Sequence, residues 1–402
     1  MGITPAVMNL VLNGYTTVKI TADTKLIRWL IPLFIVALAP CAGATPVPYD
    51  TDITALSRLS PGQPGVDDGR GRFREIFCAV LEDHGKDLPD FTPCDEALTR
   101  LGEEPPPQGT PVNLGHSKQD FLIGLVPGLA WQCVRKWLKE DNSAPLHVAQ
   151  YGFDARLFEV GGLTSPASNA RQIRDQIAAL SVQDRQRPLI LVGHSKGTVD
   201  ILQALVSFPE VRSQVVAVVS LAGAVGGSPL AEDAKQSTAN KLANVPRSGC
   251  EKGDAGAMAS LHTETRRNWL ENNPLPQHIR YFSVIAVPGR ERVSLGLRKE
   301  YKKLGEIDAR NDGQLIFYDQ YIPGATLLAF TNADHWAMST PVARQLAVSQ
   351  ATVANKTDYP REALFESILR YIEEDLATRK GPLHNDQLKE NDIELTGSYP
   401  GE

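Results

Sequence analysis

From Gln119 onward, short apolar runs alternate with stretches of helical spacing, and no other feature constrains the fold so tightly. Phe121 to Val126 is an apolar run stopped by Pro127-Gly128, and Ala155 to Val160 is a second, closed by Gly161-Gly162. Pro188 to Val192 and Val215 to Leu221 are nearly all apolar. Between them, Ser168 can cap a helix reaching Leu180, with Ala170, Ile173, Ile177 and Leu180 on one face. Thr198 to Ser207 presents Val199, Leu202, Leu205 and Val206 at helical spacing. Runs apolar on both faces and separated by helices predict an α/β fold: a mostly parallel sheet covered by helices on both sides. Tyr281 to Val287 and Thr326 to Phe330 extend the sheet, and Arg361 to Thr378 is an amphipathic closing helix.

One of these junctions carries chemistry. The strand Leu189-Ile190-Leu191-Val192 runs into Gly193-His194-Ser195-Lys196-Gly197, and a helix follows. A sharp strand-to-helix turn pushes its central serine out in a strained backbone conformation. The residues two places either side must be small, because a Cβ would clash across the turn. The helix N-terminus then aims free N–H groups and the positive end of its dipole at the site.

At these residues the chain resembles the α/β-hydrolase superfamily, most nearly its bacterial lipase and esterase branch. Three further segments carry the resemblance: Leu125-Val126-Pro127-Gly128-Leu129, Ala222-Gly223-Ala224-Val225-Gly226-Gly227-Ser228-Pro229, and Asn311-Asp312-Gly313 followed by Ala333-Asp334-His335-Trp336. It covers residues 120–375 and implies an α/β-hydrolase fold with the order nucleophile, acid, histidine. A serine hydroxyl is a poor nucleophile until a base takes its proton. Ser195 is then the nucleophile and His335, just past the last predicted strand, the base. Asp312, in an Asn-Asp-Gly turn, is the orienting acid. Glu291 is its main rival, and Asp308 and Asp319 are weaker ones. Asp334 is expected to orient the turn beside His335. His194, His147, His262 and His278 are set aside by position. The oxyanion requires two backbone N–H donors, assigned to Lys196 and Leu129. Pro127 has no N–H, so it cannot serve, and Ala130 is the substitute for Leu129. Lipases often carry His-Gly where this chain has Pro127-Gly128.

The expected activity is hydrolysis of a carboxylic ester through an acyl-serine intermediate. The alternatives are acyl transfer or thioester cleavage on the same residues, or a non-catalytic exported binding protein on the same fold. The substrate class is a small-molecule or lipid ester. The formal net charge of −6 comes with no concentration of Lys and Arg, so nucleic acid is excluded as a partner. No H-E-x-x-H, C-x-x-C or acidic calcium loop occurs, and the glycines at 223–227 form no G-x-G-x-x-G opening a helix. No metal and no cofactor are therefore expected.

The N-terminus reads as an address. Lys25 and Arg28 precede the apolar run Trp29 to Ala39, which is shorter than the roughly 18 residues of a spanning helix. Ala42-Gly43-Ala44 suits cleavage before Thr45. Residues 1–44 are expected to be a signal peptide of a periplasmic or secreted protein, with an uncleaved membrane anchor as the alternative. Pro40 argues against lipid modification of Cys41. Cleavage leaves Cys78, Cys94, Cys133 and Cys250, and an even number in an exported chain favours disulfides. The preferred pairing is Cys78–Cys94 and Cys133–Cys250. Residues 45–111 read as an N-terminal extension, with a short helix over 72–82 and a proline-rich linker at 103–111. Residues 112–380 form the catalytic domain and 381–402 a polar tail. Within the domain, residues 231–278 break the strand–helix rhythm and read as a lid-like insertion, a route to transient contact with a membrane or lipid surface.

Overall fold

The computed structural model describes the backbone of residues 7–12 and 16–21, and residues 56, 66–134, 143–233, 251–340 and 358–379. Residues 1–48 form one compact unit and residues 49–402 another. In the first, strands β1 (Val7–Leu12) and β2 (Thr16–Thr21) pair antiparallel, Val7 opposite Thr21. The apolar run 29–39, the cleavage site proposed at 44/45 and the tail 381–402 lie outside the described residues. No described helix is long and apolar enough to cross a membrane.

The second unit is built on an eight-stranded sheet. Its strands are β3 (Asp67–Asp68), β4 (Leu98–Thr99), β5 (Leu122–Val126), β6 (Asp154–Leu157), β7 (Leu189–His194), β8 (Val215–Leu221), β9 (Arg280–Ala286) and β10 (Thr326–Thr331). The order is β3-β10-β9-β8-β7-β5-β6; β4 pairs antiparallel with β10 and every other pair is parallel. Side chains alternate across a strand, so each central strand feeds two cores. Leu189 and Leu191 pack on one face with Ile173 and Ile177 of α3 (Pro166–Ala178) and Ile201 and Leu202 of α4 (Lys196–Ser207). Ile190 and Val192 pack on the other with Phe73 and Phe77 of α1 (Arg70–His84) and Leu364 and Ile368 of α6 (Arg361–Arg379). Each such fully buried side chain contributes roughly 1.5–3 kcal/mol of transfer free energy. A short helix α2 (Ser143–Ala149) and, between β8 and β9, α5 (Thr263–Asn272) complete the elements used below.

Element boundaries differ from the sequence expectation at a few ends. Helix α3 starts at Pro166, capped by Ser165 and not Ser168: the Ser165 hydroxyl accepts from Ser168 N–H at 3.4 Å. Proline at the first helical position loses no bond there, which is why the helix can start early. Strand β6 stops at Leu157, short of the expected Val160. It is the edge strand, and only β5 supports it.

Residues 66–111 are packed into the hydrolase-like body. Strands β3 and β4 pair with β10, and α1 carries Phe73, Ile76, Phe77 and Val80 fully buried against the sheet. The proline-rich segment is tied down by α1. Arg70 donates to the carbonyls of Leu101 and Glu103 at 2.5 and 2.7 Å, and Arg72 to that of Thr110 at 2.7 Å. Cys78 and Cys94 form the expected local disulfide. Cys133 is buried and disulfide-bonded, and Cys250 lies outside the described residues.

Within residues 231–278, read from sequence as an insertion, Asp254 is tied to α3. Asp254 accepts from Ser165 N–H at 2.8 Å and from the Ser168 hydroxyl at 2.9 Å, placing a carboxylate at the N-terminus of α3. These hydrogen bonds outweigh the cost of its partial desolvation and hold the carboxyl down at about 2.

Candidate active site

Strand β7 delivers the turn and α4 leaves it. Ser195 stands between them at φ 55°, ψ −126°, a backbone conformation that costs a non-glycine residue free energy. The two flanking glycines follow from close approach. A Cβ on Gly193 would lie 2.5 Å from the backbone N and Cα of Thr198, and one on Gly197 would strike the carbonyl oxygens of Val126 and Pro127. The sheet and helix can therefore pack this tightly only around glycine.

Three side chains expected from sequence meet at this turn. His335 Nε2 is 2.9 Å from Ser195 Oγ, and His335 Nδ1 is 2.7 Å from Asp312 Oδ2. A carboxylate only accepts, so Nδ1 carries the proton and Nε2 is free to accept from the serine hydroxyl. Asp312 is fully buried, and its other oxygen accepts from the N–H groups of Gln314 and Leu315 at 2.8 and 2.7 Å. The backbones of the pair are joined as well, His335 N–H donating to Asp312 O at 3.1 Å. Ser195 and His335 are both largely buried, so the hydroxyl and the imidazole face each other away from bulk water.

Asp312, and none of its rivals, is hydrogen-bonded to His335 Nδ1. Glu291 is exposed and Asp308 pairs with Arg310 at 2.7 Å. Asp334 accepts from the N–H groups of Ser294, Trp336 and Ala337, as expected of a residue shaping the turn. Asp319 is buried, and burial pushes its carboxyl up to about 7 while Arg267 pulls the other way. His278 hydrogen-bonds the Arg212 carbonyl at 3.2 Å. His194 has a role that sequence reasoning left unassigned. Its Nε2–H donates to the carbonyl of His335 at 2.9 Å, with ring centroids 4.9 Å apart. Desolvation first, and repulsion from His335 second, push its imidazole down to about 3, so it braces His335 as a neutral group.

The oxyanion candidates divide. Gly128 lies against the nucleophile turn: a Cβ there would be 2.8 Å from Ser195 Cβ. Lys196 opens α4, so its N–H has no partner within the helix. Ala130, the substitute for Leu129, is corrected by its own hydrogen bond, since its N–H donates to Gly162 O at 2.8 Å. Leu129 N–H remains the candidate on this loop.

Among the described residues, one group brings metal-ligating atoms together: His84, His147 and Glu366, within 4.8 Å. His147 Nε2 is 2.6 Å from Glu366 Oε2, closer than the about 3.3 Å that separates two donors across a tetrahedral metal with bonds of about 2.0–2.1 Å. Arg370 holds the other Glu366 oxygen at 2.7 Å and the Tyr151 hydroxyl lies 2.7 Å from His84 Nε2. The group is a satisfied network joining α1, α2 and α6. An apolar cavity of about 620 Å³ flanks the serine turn, reaching Gly128 and His194 and lined by Leu125, Trp131, Leu157 and Phe365.

No family model and no curated protein sequence matches this chain. Among solved structures, the metagenomic carboxyl esterase MGS0156 is 39% identical, with a TM-score of 0.73 over 81% of this chain and 99% of its own. The mature form of Bacillus licheniformis lipase BlEst2 is 24% identical, with a TM-score of 0.44 over 56% of this chain and 89% of its own. At that identity and coverage to the esterase, with the parallel sheet and the serine turn in place, the chain belongs to the carboxylesterases of the α/β-hydrolase fold.

Proposed function

We propose that this protein is an exported serine esterase that cleaves carboxylic esters through an acyl-Ser195 intermediate. The observation that carries the proposal is the unbroken relay from Ser195 Oγ through His335 to Asp312, at 2.9 and 2.7 Å. His335 Nε2 takes the hydroxyl proton as Oγ attacks the ester carbonyl, and Asp312 stabilises the imidazolium that results. The N–H groups of Lys196 and Leu129 receive the negative charge that develops on the carbonyl oxygen. His335 then gives its proton to the leaving alcohol, and water repeats the sequence to release the acid. The carboxyl esterase relative supports the ester as the scissile bond, and the apolar cavity beside the turn suits a hydrocarbon portion of the substrate. Export is supported by the Cys78–Cys94 disulfide, a bond that persists in oxidising compartments.

The test is hydrolysis of a p-nitrophenyl ester series from acetate to palmitate by the wild type and its Ser195→Ala variant. Turnover that disappears in the variant is expected, with the preferred chain length measuring the cavity. Absence of turnover across the whole series in folded protein would overturn simple esterase activity.

A further inference from the structure

Lys196 and Asp200 face each other four residues apart at the start of α4, each only 1% exposed. Lys196 Nζ donates to both carboxylate oxygens, at 2.7 and 3.0 Å. Stripping water from two charges is costly, and well-packed apolar residues in the same space are often as stable or more so. Burial pushes the Asp200 carboxyl upward, against the pull of Lys196. Stability alone gives no reason for charges here, so what they hold becomes the question.

The hydrogen bonds lead outward from the pair. Asp200 Oδ2 accepts from Asn169 Nδ2 on α3 at 2.8 Å. Asn169 is fully buried and clasps Gly161 by both backbone groups: its Nδ2 donates to Gly161 O at 3.0 Å, and its Oδ1 accepts from Gly161 N–H at 3.1 Å. The next residue, Gly162, accepts from Ala130 N–H at 2.8 Å. Ala130 stands at φ 59°, a left-handed conformation that alanine keeps only when its surroundings impose it. The path therefore begins on Lys196 and ends on the neighbour of Leu129, the two residues whose N–H groups are assigned to the oxyanion.

We propose that Lys196, Asp200 and Asn169 are positioning residues that hold the two oxyanion N–H groups at their working separation, by bracing the Pro127–Ala130 loop through Gly161 and Gly162. The proposal rests on the site assignment made above and deepens it. The side chains of Lys196, Asp200 and Asn169 are buried and engaged with one another and with Gly161. The nucleophile turn and the loop opposite it lie on different strand ends, and this buried path joins them. A transition-state oxyanion needs both donors together, whereas ground-state binding in the apolar cavity does not.

The test is Asn169→Ala, which cuts the path at its centre, with Lys196→Met as the second variant should the first fail to fold. Turnover is measured per active site, after titration, so that loss of folded protein does not count as loss of rate. The expected result is a kcat lower by about 10- to 100-fold with KM changed by less than about threefold. Affinity for a trifluoromethyl ketone, which binds as a tetrahedral oxyanion, falls in proportion to kcat/KM. A merely structural role lowers the melting temperature and leaves both quantities per site unchanged. Per-site kcat within about threefold of wild type, with wild-type ketone affinity and an inactive Ser195→Ala, would overturn the positioning role and leave the site assignment intact. An active Ser195→Ala overturns the assignment and this proposal with it.

Discussion

At the scale of single residues, the site is a set of groups whose hydrogen bonds fix their orientation. Asp312 accepts from two backbone N–H groups and from His335, which keeps one imidazole tautomer in place. Asp312→Asn preserves the volume and reverses that donor pattern. A kcat loss of about 10⁴-fold with a nearly unchanged KM is expected from steady-state kinetics. Asp319 makes a different prediction. Burial raises its carboxyl to about 7 in the folded protein, above its ordinary value of 3.8, so the folded state binds that proton more tightly than the unfolded one. Stability contributed by the protonated form is then lost as pH rises towards 7. Asp319→Asn is expected to raise the melting temperature more at pH 8 than at pH 5. An equal change at both values would contradict this.

At the scale of elements, what was legible in the sequence followed hydrophobic spacing. Leu189 to Val192 and most of Val215 to Leu221 lie buried in strands because both faces of each are covered, and continuous apolar runs report that. The serine turn was legible because close approach demands glycine at 193 and 197. Strands β3 and β4 were not, because two-residue pairings such as Asp67–Asp68 depend on the neighbouring strand and leave no periodic trace. The Lys196–Asp200 pair did leave one, an i, i+4 couple of opposite charge in a helix otherwise apolar there. Asn169 left none, since nothing local marks a buried amide that bonds across helices. The integration of α1 is open to measurement. Phe77 is fully buried between the sheet and α6, so Phe77→Ala is expected to cost about 3–5 kcal/mol in denaturant unfolding. A loss below about 1 kcal/mol would mean that residues 66–111 are a dispensable extension.

At the scale of the whole molecule, the parallel sheet brings together residues distant in sequence. Ser195 and His335 are 140 positions apart and meet because β7 and β10 lie in one sheet and present their C-terminal ends on the same side. The Cys78–Cys94 bond, with a sequence separation of 16, closes a loop beside α1 and is expected to contribute about 3 kcal/mol by limiting the unfolded chain. Replacing both cysteines by serine should lower the melting temperature while leaving kcat unchanged, because the bond lies outside the relay.

The proposed mechanism requires Ser195 to become acylated, and covalent capture reads that reactivity out. The protein is treated with a p-nitrophenyl phosphonate ester, and the adduct is counted by intact mass and located by peptide mapping. One adduct per chain, on Ser195, absent from Ser195→Ala and slowed in Asp312→Asn, is the predicted result. Folded wild-type protein that takes no adduct, or takes it on another residue, would rule out Ser195 as the nucleophile.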